Sequence, residues 1–265
     1  MRIYCPPENI TTNKIIISDK KQVHHLVDVA RLRAGDRLYV FDGRTQEYES
    51  VIAQILRDKV VLTIHKVKKI SEDKILHIAL ACAIPKKSKI DFIIEKAAEL
   101  GVERIIPLQT ERTIVKISEN SLDSKLRRWQ AIAREAAKQC GRIKLPQVEP
   151  VAGFNSVIPM SKDYDLAIIP HLGVKNRHIK DVVSSFKGKP EGSGWQPNSQ
   201  SHKSVIVFIG PEGDFTEREV SLAKACGCVA VSLGENVLKV DTAAIAVVAF
   251  LRFYFPIHLY TNENI

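Results

Sequence analysis

Val205-Ile206-Val207-Phe208-Ile209-Gly210-Pro211-Glu212-Gly213-Asp214-Phe215-Thr216-Glu217-Arg218-Glu219 decides how the larger part of this chain is read. Five apolar residues in an unbroken run describe a strand buried on both faces. Gly210 and Gly213 permit backbone angles or close approaches that a side chain would block, and Pro211 stiffens the bend. Thr216 then caps a helix, with Glu219 three residues on completing a capping box. A glycine-rich loop that opens a helix offers backbone N–H groups to a phosphate. Neither the Gly-x-Gly-x-x-Gly pattern nor a P-loop is present, so a dinucleotide or nucleoside triphosphate site is not supported. Taken alone, the loop reads as an ordinary strand-to-helix turn.

The same pattern recurs on either side. Ile75 to Ala83 reads as a strand, and Ser88 caps a helix whose apolar stripe is Ile90, Ile93, Ile94, Ala97 and Ala98, stopped by Gly101. Arg104 to Leu108 is the next strand. Leu122 to Gln139 is a long helix with Leu126, Trp129, Ile132, Ala133 and Ala136 inward. Its other face carries Lys125, Arg127, Arg128, Arg134 and Lys138, a solvated face by default. Leu166 to Pro170, Val205 to Gly210 and Val229 to Leu233 are short buried strands, each running into a loop with Gly or Pro. Strands alternating with helices argue for a parallel α/β sheet. Between the first two of these strands, residues 187–204 are rich in Gly, Pro, Ser and Lys and read as a flexible surface insertion.

Ligands of open parallel sheets sit beyond the carboxyl ends of the strands. Three loops follow those ends: Pro170-His171-Leu172-Gly173, the Gly210–Phe215 loop, and Leu233-Gly234-Glu235-Asn236-Val237-Leu238. The strand ends point to a pocket, which His171 could line, and to no particular substrate.

The first seventy residues differ. Arg37 to Phe41, Glu47 to Leu56 and Lys59 to Lys66 are strand runs parted by Asp42-Gly43 and Arg57-Asp58. Before them, Lys20 to Leu32 places Val23, Leu26, Val27 and Ala30 on one face of a short helix. Several closely spaced strands predict a small barrel over residues 1–70. The charged segment Lys66 to Lys74 is the expected boundary, with the α/β domain running over 75–255.

Composition sets limits. With 45% hydrophobic and 26% charged residues and a mean hydropathy of −0.06, collagen-like and wholly disordered chains are excluded. The longest apolar run, Ala243 to Leu251, is about half of the ~18–20 residues needed to cross a bilayer and is closed by Arg252. The opening residues carry no signal-peptide core. A cytoplasmic protein without membrane segments is expected. The net charge of +9 suits a polyanionic partner, since each neutralised phosphate releases counterions.

The five cysteines form no Cys-x-x-Cys pair, so reduced thiols and no metal are expected, with Cys82 and Cys140 in the core. His24 and His25 are adjacent on a helix and point apart, which disqualifies them as a metal pair. Glu95 and Glu99 flank Lys96 and read as a solvated charged face.

Four stretches fall in the order of one family. They are Asp91 to Val102 (DFIIEKAAELGV), Trp129 to Arg142 (WQAIAREAAKQCGR), Ile209 to Gly213 (IGPEG), and Ser232-Leu233-Gly234 with Leu238 to Ala243 (LKVDTA). The chain resembles the RsmE family, the small-subunit ribosomal RNA uridine-N3 methyltransferases of the SPOUT class. The resemblance runs nearly end to end, and the N-terminal part is similar to that family's PUA-like barrel.

The resemblance implies an α/β fold in which a PUA-like β-barrel precedes a SPOUT domain closed by a deep C-terminal trefoil knot. It implies S-adenosylmethionine as cofactor, 16S ribosomal RNA or the small ribosomal subunit as partner, and a homodimer with Asp241 to Phe250 in its interface. The three loops would then be knot loops. Pro170, His171, Ile209, Gly210, Glu212, Gly213, Leu233, Gly234, Val237, Leu238, Thr242 and Ala243 would hold the cofactor. Arg31, Arg112, Arg134, Gln139 and Arg142 would contact RNA, and Arg142 and Lys239 are the candidate catalytic residues. No residue stands out as the catalytic base. The alternatives are methylation at another RNA position, a ribose 2′-O or another base, and an RNA-binding module that lost the chemistry. The family pattern has Gly where this chain has Asp214, Arg at Lys239 and Glu at Asp241. Arg to Lys removes the bidentate fork.

Overall fold

Apolar residues alternate along the N-terminal strands and run unbroken along the later ones, and the architecture follows from that difference. The computed structural model describes residues 1–69, 76–87, 89–173, 177–187 and 203–255. Two compact units emerge, Met1–Glu72 with Ala137–Leu145, and Asp73–Ala136 with Pro146–Ile265.

In the first unit, β1 (Arg2–Tyr4), β2 (Lys14–Ile17), α1 (Lys20–His24), β3 (Arg37–Phe41), β4 (Gln46–Ile55) and β5 (Val60–Lys69) follow in order. The strands make one five-stranded sheet in the order β1-β3-β4-β5-β2. β1 runs parallel to β3, and the other pairs are antiparallel. Alternate residues Ile15 and Ile17, Leu38 and Val40, and Val60 and Leu62 form its core with Ile3, Leu26 and Ile52.

This unit differs from the sequence expectation in two places. β1 and β2, three and four residues long, were not expected, because their pairing is made with strands far along the chain. The helix expected over Lys20–Leu32 stops early. After His24 the coil widens into a π-helical turn, His25–Val29, and Arg31 takes a left-handed φ of 53°. Val23 and Leu26 are buried, whereas Val27 and Ala30 are only half-buried.

The second unit contains β6 (His77–Ala83), α2 (Lys89–Glu99), β7 (Arg104–Gln109), α3 (Glu119–Gln139), β8 (Gln147–Val148), β9 (Ala152–Gly153), α4 (Phe154–Val157) and β10 (Leu166–Pro170). They are followed by β11 (Arg177–His178), α5 (Ile179–Lys187), β12 (Ser204–Ile209), α6 (Glu217–Ala225), β13 (Val229–Ser232) and α7 (Val240–Tyr254). The last residues of α3, from Ala137, belong to the first unit. The sheet runs β11-β13-β10-β12-β6-β7-β8, with β9 on β7, and every pair is parallel.

Alternation along the strands separates two cores. Ile78, Leu80 and Cys82 of β6 and Val205, Val207 and Ile209 of β12 face α2, α3, α5 and α7. Ala79 and Ala81, with Ile206 and Phe208, face α4 and α6. The sheet is therefore covered on both faces, which is why its strands read as continuous apolar runs. All five residues of the expected α2 stripe are buried. The expected cap Ser88, the start of the strand at Ile75, and most of the 187–204 insertion lie outside the described residues.

The cysteine reading holds for Cys82, which is fully buried, and fails for Cys140, which is exposed one residue beyond the end of α3. Small neighbours along a helix do not by themselves bury a residue at its end. Burial pushes the Cys5 thiol up to about 12, and raises that of Cys82 as well.

Candidate active site

β13, β10 and β12 are neighbours in the sheet, so the loops that leave their carboxyl ends open side by side. The β12 loop is held from several directions. The left-handed φ of 58° at Asp214 turns the chain, and the Asp214 N–H donates to the Pro211 carbonyl at 2.9 Å. Gly210 sits close to its own loop: a Cβ there would stand 3.0 Å from the buried Phe215 ring, which would have to shift by a few tenths of an ångström. The Glu212 carboxylate accepts the Lys86 N–H at 3.0 Å from the segment after β6. Arg112, after β7, donates to the Gly213 carbonyl at 2.7 Å.

The expected capping box at the start of α6 is present in full, with the Thr216 hydroxyl accepting the Glu219 N–H and the Glu219 carboxylate accepting the Thr216 N–H. Its other carboxylate oxygen accepts the Glu111 N–H at 2.9 Å. Glu219 is thus a buried carboxylate that serves two loops.

The β10 loop is tied on both sides. The His171 N–H donates to the Val231 carbonyl of β13 at 3.0 Å. His171 Nδ1 lies 2.7 Å from Asp214 Oδ2, which also accepts the Leu172 N–H at 3.1 Å. In the third loop, Gly234 has a φ of +122° that favours glycine, with nothing within 4 Å of the position a Cβ would take. The Ser232 hydroxyl accepts its N–H.

Nearby apolar groups are uncovered. Val237 is 75% exposed and Leu172 61% exposed, both on these loops. Open space at a glycine, exposed aliphatic side chains and flanking backbone polar groups fit the donor and apolar needs of a nucleoside. Of the other expected cofactor residues, Ile209 is buried; Pro170, Gly210, Leu233, Leu238 and Ala243 are half-buried; Glu212, Gly213 and Thr242 are exposed. Lys239 is exposed at the N-terminus of α7, with Asp241 paired to Lys89 at 2.9 Å.

The expected RNA contacts are spread over both units. Arg31 and Gln139 are exposed in the first, where the Arg142 carbonyl accepts a hydrogen bond from the Arg2 guanidinium at 2.9 Å. Arg112 and Arg134 belong to the second. On the basic face of α3, Arg128 is exposed as expected, and its guanidinium also lies 2.6 Å from Asp91. Asp91 also accepts the Trp129 indole N–H, so it locks α3 to α2. Around Glu95 and Glu99 the charged-face reading stands, with Lys96 Nζ 2.8 Å from each carboxylate. Those hydrogen bonds raise the Lys96 pKa.

Residues 71–252 match the RNA methyltransferase domain family, and residues 17–64 match the RNA methyltransferase PUA domain. A Synechocystis ribosomal RNA small subunit methyltransferase E is 32% identical over 91% of this chain and 74% of its own length. This chain belongs to the ribosomal RNA small subunit methyltransferase E family. The Bacillus subtilis member is 27% identical over 88% of both chains.

The likeness extends to three dimensions. A Neisseria gonorrhoeae ribosomal RNA small subunit methyltransferase E, bound to S-adenosylmethionine, superposes with a TM-score of 0.77 at 26% identity, covering 96% of this chain and 97% of that one. A Legionella pneumophila protein in complex with the bound cofactor superposes with a TM-score of 0.79 at 30% identity over the same shares. Among the described residues no helix is long and apolar enough to cross a membrane, and no cluster of three potential metal ligands occurs.

Proposed function

We propose that this methyltransferase places a methyl group on N3 of a uridine in small-subunit ribosomal RNA, using S-adenosylmethionine. The observation that carries the reading is the convergence of three loops at the ends of adjacent parallel strands, in a family with members that bind this cofactor. When bound, the cofactor supplies an electrophilic methyl on a sulfonium.

The Gly210–Phe215 and Leu233–Leu238 loops and the start of α7 at Thr242 and Ala243 would hold its adenine and ribose, with Val237 and Leu172 shielding apolar surface and Gly234 leaving room. Pro170, His171, Ile209 and Glu212 complete the wall, Glu212 by bracing the loop against Lys86.

N3–H of uracil is a weak acid, so the site must lower the cost of losing that proton while nitrogen, methyl and sulfur are held in line. N3 takes part in base pairing, so the base enters unpaired or flipped. Lys239, exposed at the N-terminus of α7, stabilises negative charge on the base, and Arg142, which belongs to the first unit, holds an RNA phosphate. Arg31, Arg112, Arg134 and Gln139 extend the RNA surface.

The same reading includes a PUA-like barrel in the first unit and a trefoil knot at the three loops. The strand order β13-β10-β12 supports the knot, because the chain leaving β12 must pass β10 to reach β13. A homodimer through Asp241–Phe250, a cytoplasmic location and domain limits of 1–70 and 75–255 belong to it as well.

The test is calorimetric titration with S-adenosylmethionine, alongside methyl incorporation into small-subunit RNA lacking the modification. Binding with product on uracil N3 establishes the reading. Product elsewhere moves the target, and folded protein that binds RNA but no cofactor makes it an RNA-binding module.

A further inference from the structure

We infer that Asp214 is a positioning residue that fixes the spacing of the β10 and β12 loops around the cofactor, acting through His171. The inference rests on the proposed role of these loops in holding S-adenosylmethionine. Three observations meet at this side chain. Its backbone is left-handed at φ 58°, a conformation that Asp and Asn adopt more readily than other non-glycine residues because their short side chains bond locally. Both carboxylate oxygens are engaged. Oδ1 accepts the Phe215 N–H of its own loop at 2.8 Å, and Oδ2 takes the Leu172 N–H and lies 2.7 Å from His171 Nδ1.

The third observation is what His171 adds. Its side chain is only 12% exposed, and its backbone N–H is bonded to Val231 of β13. The chain of contacts Asp214–His171–Val231 therefore links the ends of all three strands that carry the candidate site. His171 Nε2 faces Glu217 of α6 at 3.8 Å, a second carboxylate on the same ring. A loop pair joined by a largely dehydrated polar contact has fewer conformations to lose when a ligand fills the gap, so the contact serves affinity for the cofactor more than the methyl transfer.

The discriminating variant is Asp214→Asn in the full-length protein. Asn keeps the left-handed turn and can accept the Phe215 N–H. Its amide then meets the Leu172 N–H donor to donor and carries no charge toward His171. The expected result is a KM for S-adenosylmethionine raised about tenfold, with kcat at saturating cofactor within about twofold of the parent. In the ligand-free protein, hydrogen exchange at the Leu172 amide should quicken while the β12 amides keep their protection. A parent protein that does not bind S-adenosylmethionine sinks the proposed function and this inference with it. A parent that binds, beside a variant with unchanged KM or one losing kcat alone, overturns the inference and leaves the proposed function standing.

Discussion

Lys89 Nζ donates to both carboxylate oxygens of Asp241, at 2.9 and 3.1 Å, and so joins the first turn of α2 to the first turn of α7. A carboxylate suits the N-terminus of a helix and an ammonium does not, so the pair offsets the unfavourable placement of Lys89. The hydrogen bond from Lys89 is the largest of the effects that hold the Asp241 carboxyl below its ordinary 3.8, with burial opposing it and the backbone N–H groups of Asp241 and Thr242 assisting.

The sign of its pH dependence follows. A carboxyl with a depressed folded pKa adds stability above its unfolded value and loses it as pH falls through the folded value. Asp241→Asn should cost about 0.5–1 kcal/mol at neutral pH, as for other partly exposed pairs. Urea unfolding should show the gap between parent and variant closing below pH 3.8. A gap that persists unchanged in acid would mean the loss is one of packing.

Arg252 closes the apolar helix α7 and is buried, at 8% exposure, with no carboxylate on its guanidinium among the hydrogen bonds it makes. It donates instead to the carbonyls of Leu76, Leu100 and Gly101. Two of these follow the end of α2, where a cation complements the helix dipole. Burial lowers its pKa, yet an arginine stays protonated. Arg252→Leu leaves these carbonyls without that donor and should cost about 2–4 kcal/mol, read as a fall in Tm. Arg252→Lys should recover only part, since one ammonium cannot reproduce the planar fork.

The sheet and the place of the site were legible because they depend on local patterns. The apolar run Val205–Ile209 is read as a doubly covered strand from its neighbours alone, and the Thr216–Glu219 capping box spans four residues. What escaped depends on distant partners. Arg2–Tyr4 is a strand because β3 lies beside it, and Leu172 meets Asp214 from 42 residues away. A lone Asp after Gly213 gives a hint of a left-handed turn, but nothing in the sequence points to His171 as its partner. Asp91 likewise reads as a helix-start acid, and only packing brings Arg128 and Trp129 to it.

Glu219 is predicted to matter more than a helix cap alone. Thr216→Ala removes one capping acceptor and should cost about 1 kcal/mol. Glu219→Ala leaves the Glu111 and Thr216 N–H groups without their carboxylate and should cost about 2–3 kcal/mol. It should also loosen the segment around Arg112 that braces Gly213, so hydrogen exchange should rise at the Glu111 amide in Glu219→Ala and not in Thr216→Ala. Equal exchange in the two variants would confine Glu219 to capping.

Gly234 separates backbone demand from pocket space. Its φ of +122° makes any side chain costly, about 1–3 kcal/mol, whatever the room available. Nothing lies within 4 Å of where a Cβ would stand, so Gly234→Ala should lower Tm and keep much of its affinity for S-adenosylmethionine. Gly234→Glu pays the same backbone cost and adds a long charged chain on the side where the cofactor is proposed to sit. Titration should therefore find binding in the Ala variant and none in the Glu variant, at matching Tm. Binding in both would move the cofactor away from the β13 loop, and binding in neither would mean that the backbone angle alone shapes the site.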